Sequence, residues 1–290
     1  MSVVKKQPVS IIKLKNMKEN KDPITMVTAY DYPTAALVEQ AGVDMILVGD
    51  SLGNVVLGYD STLPVTVDDM VYHTRAARRG APHTFIVADM PFMTYHSTVT
   101  ETLNDVRRLM QEGHANAVKM EGGAEITLMV DACVKAGVPV LGHIGLTPQS
   151  VHQLGGYRIQ GKTKEDADRL LQDALALERA GAFGIVLELV TDQVATYISE
   201  RLSIPTIGIG AGAGCDGQVL VFHDIVRYSP DYREKRFVKT YADIGTTIRE
   251  SIQSYVQDVK TRSFPAEANS FRAEDVVVDH LYGPGKVEVR

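Results

Sequence analysis

Five short apolar runs, each closing on a polar or ionisable residue, constrain this chain more than any other feature. They are VDMILVGDSLG (43–53), FIVADM (85–90), AVKMEGG (117–123), VPVLGHIG (138–145) and GIVLELV (184–190). Each is brief, continuous and rich in β-branched residues, the pattern of a strand buried on both faces of a parallel sheet. Near their ends stand Asp50, Asp89, Glu121, His143 and Glu188. Polar groups at the C-terminal tips of parallel strands face the functional end of an α/β fold.

Between these runs the spacing predicts helices. PITMVTAY supplies a first strand, with Tyr30, Asp31 and Tyr32 at its tip. Pro33 then opens a helix through Gln40, and Gly42 lies past its end. A long loop covers Asn54 to Pro64. Thr66 caps a helix whose Val67, Met70, Val71 and Thr74 fall on one face. Val99, Leu103, Val106 and Met110 predict the next, and Ile126, Met129, Val130, Cys133 and Val134 another, which makes Cys133 a core residue. Further helices are expected over Ala167–Ala180 and Thr191–Leu202, with strands at Pro205–Ile209 and Gln218–Phe222. Alternation through eight strands predicts one (β/α)8 barrel over residues 1–290. A short amphipathic helix, Ser10 to Lys18, is expected to cover its bottom, and a helix over Tyr241–Val259 to precede a tail. The segment HIGLTPQSVHQLGGYRIQGKT is too long for a plain connection, and such loops usually carry function.

Charge and cysteine content narrow the function classes. A net charge of −6 speaks against nucleic acid as the main partner. Cys133 and Cys215 form no metal-type pair, and two cysteines cannot build a disulfide framework. No apolar run is long enough for a membrane span, and the first residues lack the apolar stretch of a secretory signal. The expectation is a cytoplasmic protein.

Asp50, Asp89 and Glu121 are the candidate metal ligands, because hard oxygen donors on neighbouring strands suit Mg2+. The alternative is that each caps a nearby helix. Lys119 lies two residues before Glu121 and shares its side of the strand. It either pairs with a carboxylate or holds a substrate anion. His143 reads equally as scaffold or catalyst. Glu188, after an apolar run, is the candidate base, with a pKa expected to rise through desolvation. Gly212–Gly217 spells G-x-G-x-x-G, but a strand follows it instead of a helix, which argues against a dinucleotide site. A glycine-rich turn there still offers backbone N–H groups to an anion.

The strings TAYDYPTA, LVGDSLGNVVLGYDSTLPVT, YHTRAARRGAP, VKMEGG, PVLGHIGLTPQSVHQLGGYRIQGK and PTIGIGAG together resemble the ketopantoate hydroxymethyltransferase family. The resemblance runs from about Thr25 to Phe271 and includes HDI and FVKTYAD late in the chain. It implies a barrel of the phosphoenolpyruvate/pyruvate type, Mg2+ dependence and a homodecamer. It also implies transfer of a hydroxymethyl group from 5,10-methylenetetrahydrofolate to 3-methyl-2-oxobutanoate through a Mg-stabilised enolate. Residue by residue, Asp50, Asp89 and Glu121 match the family's metal carboxylates. Asp50, Ser51, Asp89 and Lys119 match its ketoacid-binding residues, and Glu188 its proton acceptor. Two features depart from the pattern. Leu189 follows Glu188 where the family carries cysteine, and Ala273 to Arg290 extends past the usual end. The competing readings are a carbon–carbon or phosphorus–carbon lyase, which relies on a cysteine-bearing loop this chain lacks, and a non-catalytic metabolite-binding barrel.

Overall fold

The buried runs close on one another. In the computed structural model, which describes residues 9–156, 158–230 and 232–284, eight parallel strands form a closed barrel in sequence order. They are β1 (Ile24–Thr28), β2 (Met45–Val48), β3 (Phe85–Asp89), β4 (Ala117–Glu121), β5 (Val140–Gly145), β6 (Gly184–Glu188), β7 (Thr206–Ile209) and β8 (Gly217–Leu220). β8 pairs back onto β1, with Met26 opposite Val219. The expected strand eight ends early. Phe222 donates its N–H to the Thr28 hydroxyl at 3.0 Å and starts a short helical turn instead of extending the ladder.

Strand parity sorts the side chains into two apolar layers. Ile46, Val48, Ile86, Ala88 and Val118 point outward into the layer beneath the surrounding helices. Met26, Met45, Phe85, Val87 and Val186 point inward and pack with Leu14 in a separate cluster. Leu14 belongs to helix α1 (Ile11–Asn20), which Ser10 caps by accepting from the Lys13 N–H. With Leu14 only 1% exposed, α1 plugs the lower end of the barrel as its pattern predicts. Cys133 is fully buried in the outer layer, which is the packing role expected of it.

Alternation fails once. The connection from β7 to β8, residues 210–216, contains no helix. Gly212 has φ +79, and a Cβ there would stand 2.0 Å from the Asp192 carboxylate. The glycine motif therefore serves close passage of the crossover against the helix Asp192–Ser199, and it places a carboxylate where an anion would have to sit.

The chain divides into two compact units, Met1–Tyr241 and Ala242–Arg290. The second holds the expected late helix, at Ile244–Thr261, none of whose residues is buried and whose Ile248, Ile252, Tyr255 and Val259 form an exposed apolar stripe. It also holds a short helix, Asp275–Tyr282, within the C-terminal extension. Residues 285–290 of that extension, and Tyr157 of the GGYR string, lie outside the described residues.

Candidate active site

Two more residues along β3, β4, β5 and β6 change the character of the barrel interior. Asp89, Lys119, Glu121, His143 and Glu188 follow the inward apolar positions at the same parity and face a cavity of 410 Å³ at the upper end. Asp50 and Ser51 join them from the turn after β2. A larger cavity of 1190 Å³ lies beside the β7–β8 crossover, lined by Ile24, Asp192 and Asp216 among others, and holds none of these side chains. The candidate residues gather at the smaller cavity.

The carboxylates are not helix caps. Lys119 Nζ lies 3.1 Å from Asp89 Oδ1 and 3.5 Å from Glu121 Oε1, with all three side chains buried. Asp89 Oδ2 accepts the Asp50 backbone N–H at 3.0 Å. Asp50 Oδ2 accepts from Gln149 Nε2 at 2.8 Å. His143 Nδ1 lies 3.3 Å from Glu121 Oε1, and its Nε2 lies 3.3 Å from Glu188 Oε2. The imidazole thus bridges the buried cluster and the candidate base. Ser51 Oγ lies 2.8 Å from the Tyr30 hydroxyl.

Burial and mutual repulsion set the charges. Burial drives Asp50 well up from the ordinary aspartate range, and Asp89 and Glu121 push it the same way. Burial also raises Asp89, against the pull of Lys119. Glu121 goes the other way: Lys119 and His143 outweigh its burial and hold it at about 2. Burial and Lys119 push His143 down, but Glu121 and Glu188 outweigh them and bring it to about 9. Lys119, despite burial, is raised by Asp89, Glu121 and Asp50 and stays a cation. Three carboxylates therefore compete for one ammonium and one imidazolium, and without a further cation burial pushes Asp50 and Asp89 toward their neutral forms.

Asp89 Oδ1 is buried and meets only the Lys119 ammonium, at 3.1 Å, and buried His143 Nε2 meets only Glu188 Oε2, at 3.3 Å. Among the described residues no three His, Cys, Asp or Glu side chains form a ready-made metal cage. Mg2+ does not require one, since it takes one or two carboxylates and keeps several waters. Three buried carboxylates gathered at one cavity, with only Lys119 and His143 as cations, fit such an ion.

Glu188 is less enclosed than its apolar run suggests: its side chain keeps 17% exposure, against 3% for His143. It borders the open space of the cavity. Its carbonyl accepts the Leu146 N–H at 2.8 Å, and the following Leu189, with φ +47, accepts from the Gln160 N–H at 2.8 Å. The long polar loop after β5 thereby straps the end of β6.

Gln149 escapes a reading of single residues. It is 4% exposed, donates to Asp50 and to the Met90 carbonyl, accepts from the Tyr95 hydroxyl at 2.6 Å, and sends its own N–H to Glu121 Oε2 at 3.0 Å. Its only signal in the sequence is its place in a loop too long to be a mere connection. Tyr95, which also accepts the Glu121 N–H at 3.1 Å, carries no signal at all.

Known proteins share this architecture and much of this sequence. The ketopantoate hydroxymethyltransferase family pattern matches residues 8–267. The 3-methyl-2-oxobutanoate hydroxymethyltransferase of Shouchella clausii is 57% identical over 272 residues, covering 94% of this chain and 97% of the relative. That of Geobacillus kaustophilus is 59% identical over 268 residues, covering 92% and 96%. Among solved structures, 2,3-dimethylmalate lyase, a member of the PEP mutase/isocitrate lyase superfamily, aligns with a TM-score of 0.56 at 17% identity, over 93% of this chain and 95% of that one. That likeness is one of fold. By the extent and identity of the sequence match, the chain belongs to the ketopantoate hydroxymethyltransferase family, a family of transferases.

Proposed function

We propose that this chain transfers a hydroxymethyl group from 5,10-methylenetetrahydrofolate to 3-methyl-2-oxobutanoate, giving ketopantoate for pantothenate synthesis. The observation that carries the reading is the His143 bridge, which joins the Lys119–Glu121 pair to Glu188 across one cavity. A ketoacid needs a cationic seat for its oxygens and a base at its third carbon, and these two needs meet there.

Lys119 sits where negative charge collects when the C3 proton leaves, and being fixed by Asp89 and Glu121 it needs no reorganisation to respond. Glu188 takes that proton. His143 orients Glu188 from one side and is itself oriented by Glu121 from the other. Ser51, held by Tyr30, offers a hydroxyl to the ketoacid carboxylate. Val186, Ile209 and Val219 keep the surrounding wall apolar and limit water near the base. Asp50, Asp89 and Glu121 would hold Mg2+, which when bound supplies Lewis-acid charge to the ketoacid oxygens. Gln149 fixes the position of Asp50 and Glu121 through one hydrogen bond to each.

Calorimetry tests the assignment. Wild-type protein is expected to bind 3-methyl-2-oxobutanoate tightly only with Mg2+, and Asp50→Ala or Asp89→Ala to lose the metal-dependent part. Undiminished metal-dependent binding in both variants would sink it. Supplying ketoacid, Mg2+ and methylenetetrahydrofolate should then yield ketopantoate. Among the described residues no helix is long and apolar enough to cross a membrane, and we place the reaction in the cytoplasm. A homodecamer is the expected assembly, read by light scattering as a mass several times 31.7 kDa.

A further inference from the structure

The catalytic cavity has two ends of opposite chemistry. Its floor is ionic. Its other side is lined by Leu189, Val221 and Phe237, with a single ion pair, Asp224 and Lys235. None of these groups has work to do in removing a proton from a small ketoacid, and such a molecule fills only part of 410 Å³.

This second end is built firmly. Asp224 is 7% exposed, and Lys235 Nζ donates to its Oδ2 at 2.6 Å. The segment bearing Lys235 and Phe237 is closed by a turn, Val238 N–H to Lys235 carbonyl at 2.9 Å, and tied back by Tyr241 N–H to Ile225 carbonyl at 2.8 Å. Phe237 is seated on Gly210, where an added Cβ would stand 3.1 Å from Phe237 Cγ and 2.7 Å from Leu189 Cδ2. A fixed aromatic ring, aliphatic neighbours and an oriented carboxylate suit a flat heterocycle that presents adjacent N–H donors. The aminopyrimidinone edge of a reduced pterin is such a group.

We propose that Asp224, oriented by Lys235, accepts hydrogen bonds from the amino and ring N–H groups of the folate donor's pterin, while Phe237 packs against the pterin ring. The assignment rests on the reaction proposed above. It places the donor on the apolar side of the cavity, facing the ketoacid on the ionic floor.

Steady-state kinetics and a folate-free partial reaction test it together. Losing a hydrogen bond to a charged group costs about tenfold or more in affinity. Asp224→Asn is therefore expected to raise KM for methylenetetrahydrofolate by about tenfold or more, with KM for the ketoacid unchanged. Phe237→Leu should raise the same constant less. Lys235→Gln, at a half-exposed position, should reproduce part of the Asp224 effect without risk to the fold. A donor analogue lacking the pterin amino group should be penalised on the wild type and much less on Asp224→Asn. In all three variants, deuterium exchange of the ketoacid C3 proton without folate should continue at the wild-type rate. An unchanged folate KM in both Asp224→Asn and Phe237→Leu overturns the proposal. So does loss of C3 exchange alongside folate affinity, which would make these residues supports of the cavity. If the wild type exchanges the C3 proton yet makes no ketopantoate from the folate donor, the donor itself is wrong, a signature distinct from failure of the subsite.

Discussion

The lower and upper halves of the barrel interior are built by the same strands and filled in opposite ways. Below, Leu14, Met26, Met45, Phe85 and Val87 close the barrel with aliphatic and aromatic volume. Above, the next inward positions carry Asp89, Lys119, Glu121 and His143, equally buried. On β4 the change takes two residues: Ala117 belongs to the apolar cluster, Lys119 and then Glu121 to the ionic one. Each fully buried apolar side chain stabilises by roughly 1.5–3 kcal/mol. A buried ion pair gives little net stability, because desolvation offsets its attraction. The lower half holds the fold together, and the upper half fills interior space with charges that add little to stability.

That contrast breaks most sharply at Glu188. Replacing it by Gln keeps the shape and leaves the floor of the cavity intact. Loss of a general base costs roughly 10²–10⁴-fold in rate. Exchange of the ketoacid C3 proton, followed by NMR without folate, should fall by that factor while ketoacid affinity and thermal stability hold. If exchange persists but ketopantoate formation stops, Glu188 acts on the folate side. If affinity and exchange vanish together, it belongs to the ionic floor.

Lys119 is the next largest case, and it acts on stability in the direction opposite to most polar-to-apolar changes. Lys119→Met fits the volume but leaves Asp89 and Glu121 buried without their cation. Breaking one side of a buried pair costs about 3–5 kcal/mol. Chemical denaturation without metal should show that loss, and added Mg2+ should restore more stability to the variant than to the wild type. Equal effects of Mg2+ on both proteins would mean that the carboxylates are not the ion's site.

Those two residues also mark how far the sequence reaches. Lys119 and Glu121 are placed correctly by parity alone, because a strand has a fixed period of two and the buried run sets its face. The same rule brings Asp89, His143 and Glu188 to one cavity. What it cannot supply is depth. Glu188 stands after four apolar residues just as a fully buried group would, yet its position beside the open cavity is set by where β5 and β7 end. Gln149 and Tyr95 are invisible for a different reason: Gln149 meets β4 and the β2 turn, 28 and 99 residues away, and Tyr95 meets β4 and Gln149. The lack of a helix between β7 and β8 is legible, because a strand pattern follows the glycine-rich string directly, but the packing of Gly212 against Asp192 is a tertiary contact the string does not announce.

In the lower half the expected effect is on stability alone. Leu14→Ala removes a side chain that closes the barrel floor. Such truncations cost about 2–5 kcal/mol, depending on how far the site collapses. Urea denaturation should show the midpoint shift, with kcat and ketoacid affinity unchanged. Combined with Glu188→Gln, the two effects should add, since the sites share no partner. A fall in kcat with Leu14→Ala would show that the lower packing sets the geometry above it.

The smallest effect separates the plug from its helix. Ser10 is outside the core, and its hydroxyl accepts the Lys13 N–H at 3.3 Å, satisfying one of the free donors of the first turn of α1. Ser10→Ala removes that bond and no core contact. Loss of such a cap costs about 1 kcal/mol, within a range of roughly 0.5–2. The contact is long, so the shift should fall at the low end of that range. Its sign is fixed by the coupling to Leu14: fraying the first turn frees the one buried side chain of the helix. In a Leu14→Ala background the same change should therefore cost less, because the turn no longer holds a plug in place. An identical cost in both backgrounds would mean that α1 folds as an independent helix and that Leu14 reports only the volume it fills. Ketoacid binding should be unchanged in every member of this set. The lower half would then answer only to packing and the upper half only to charge.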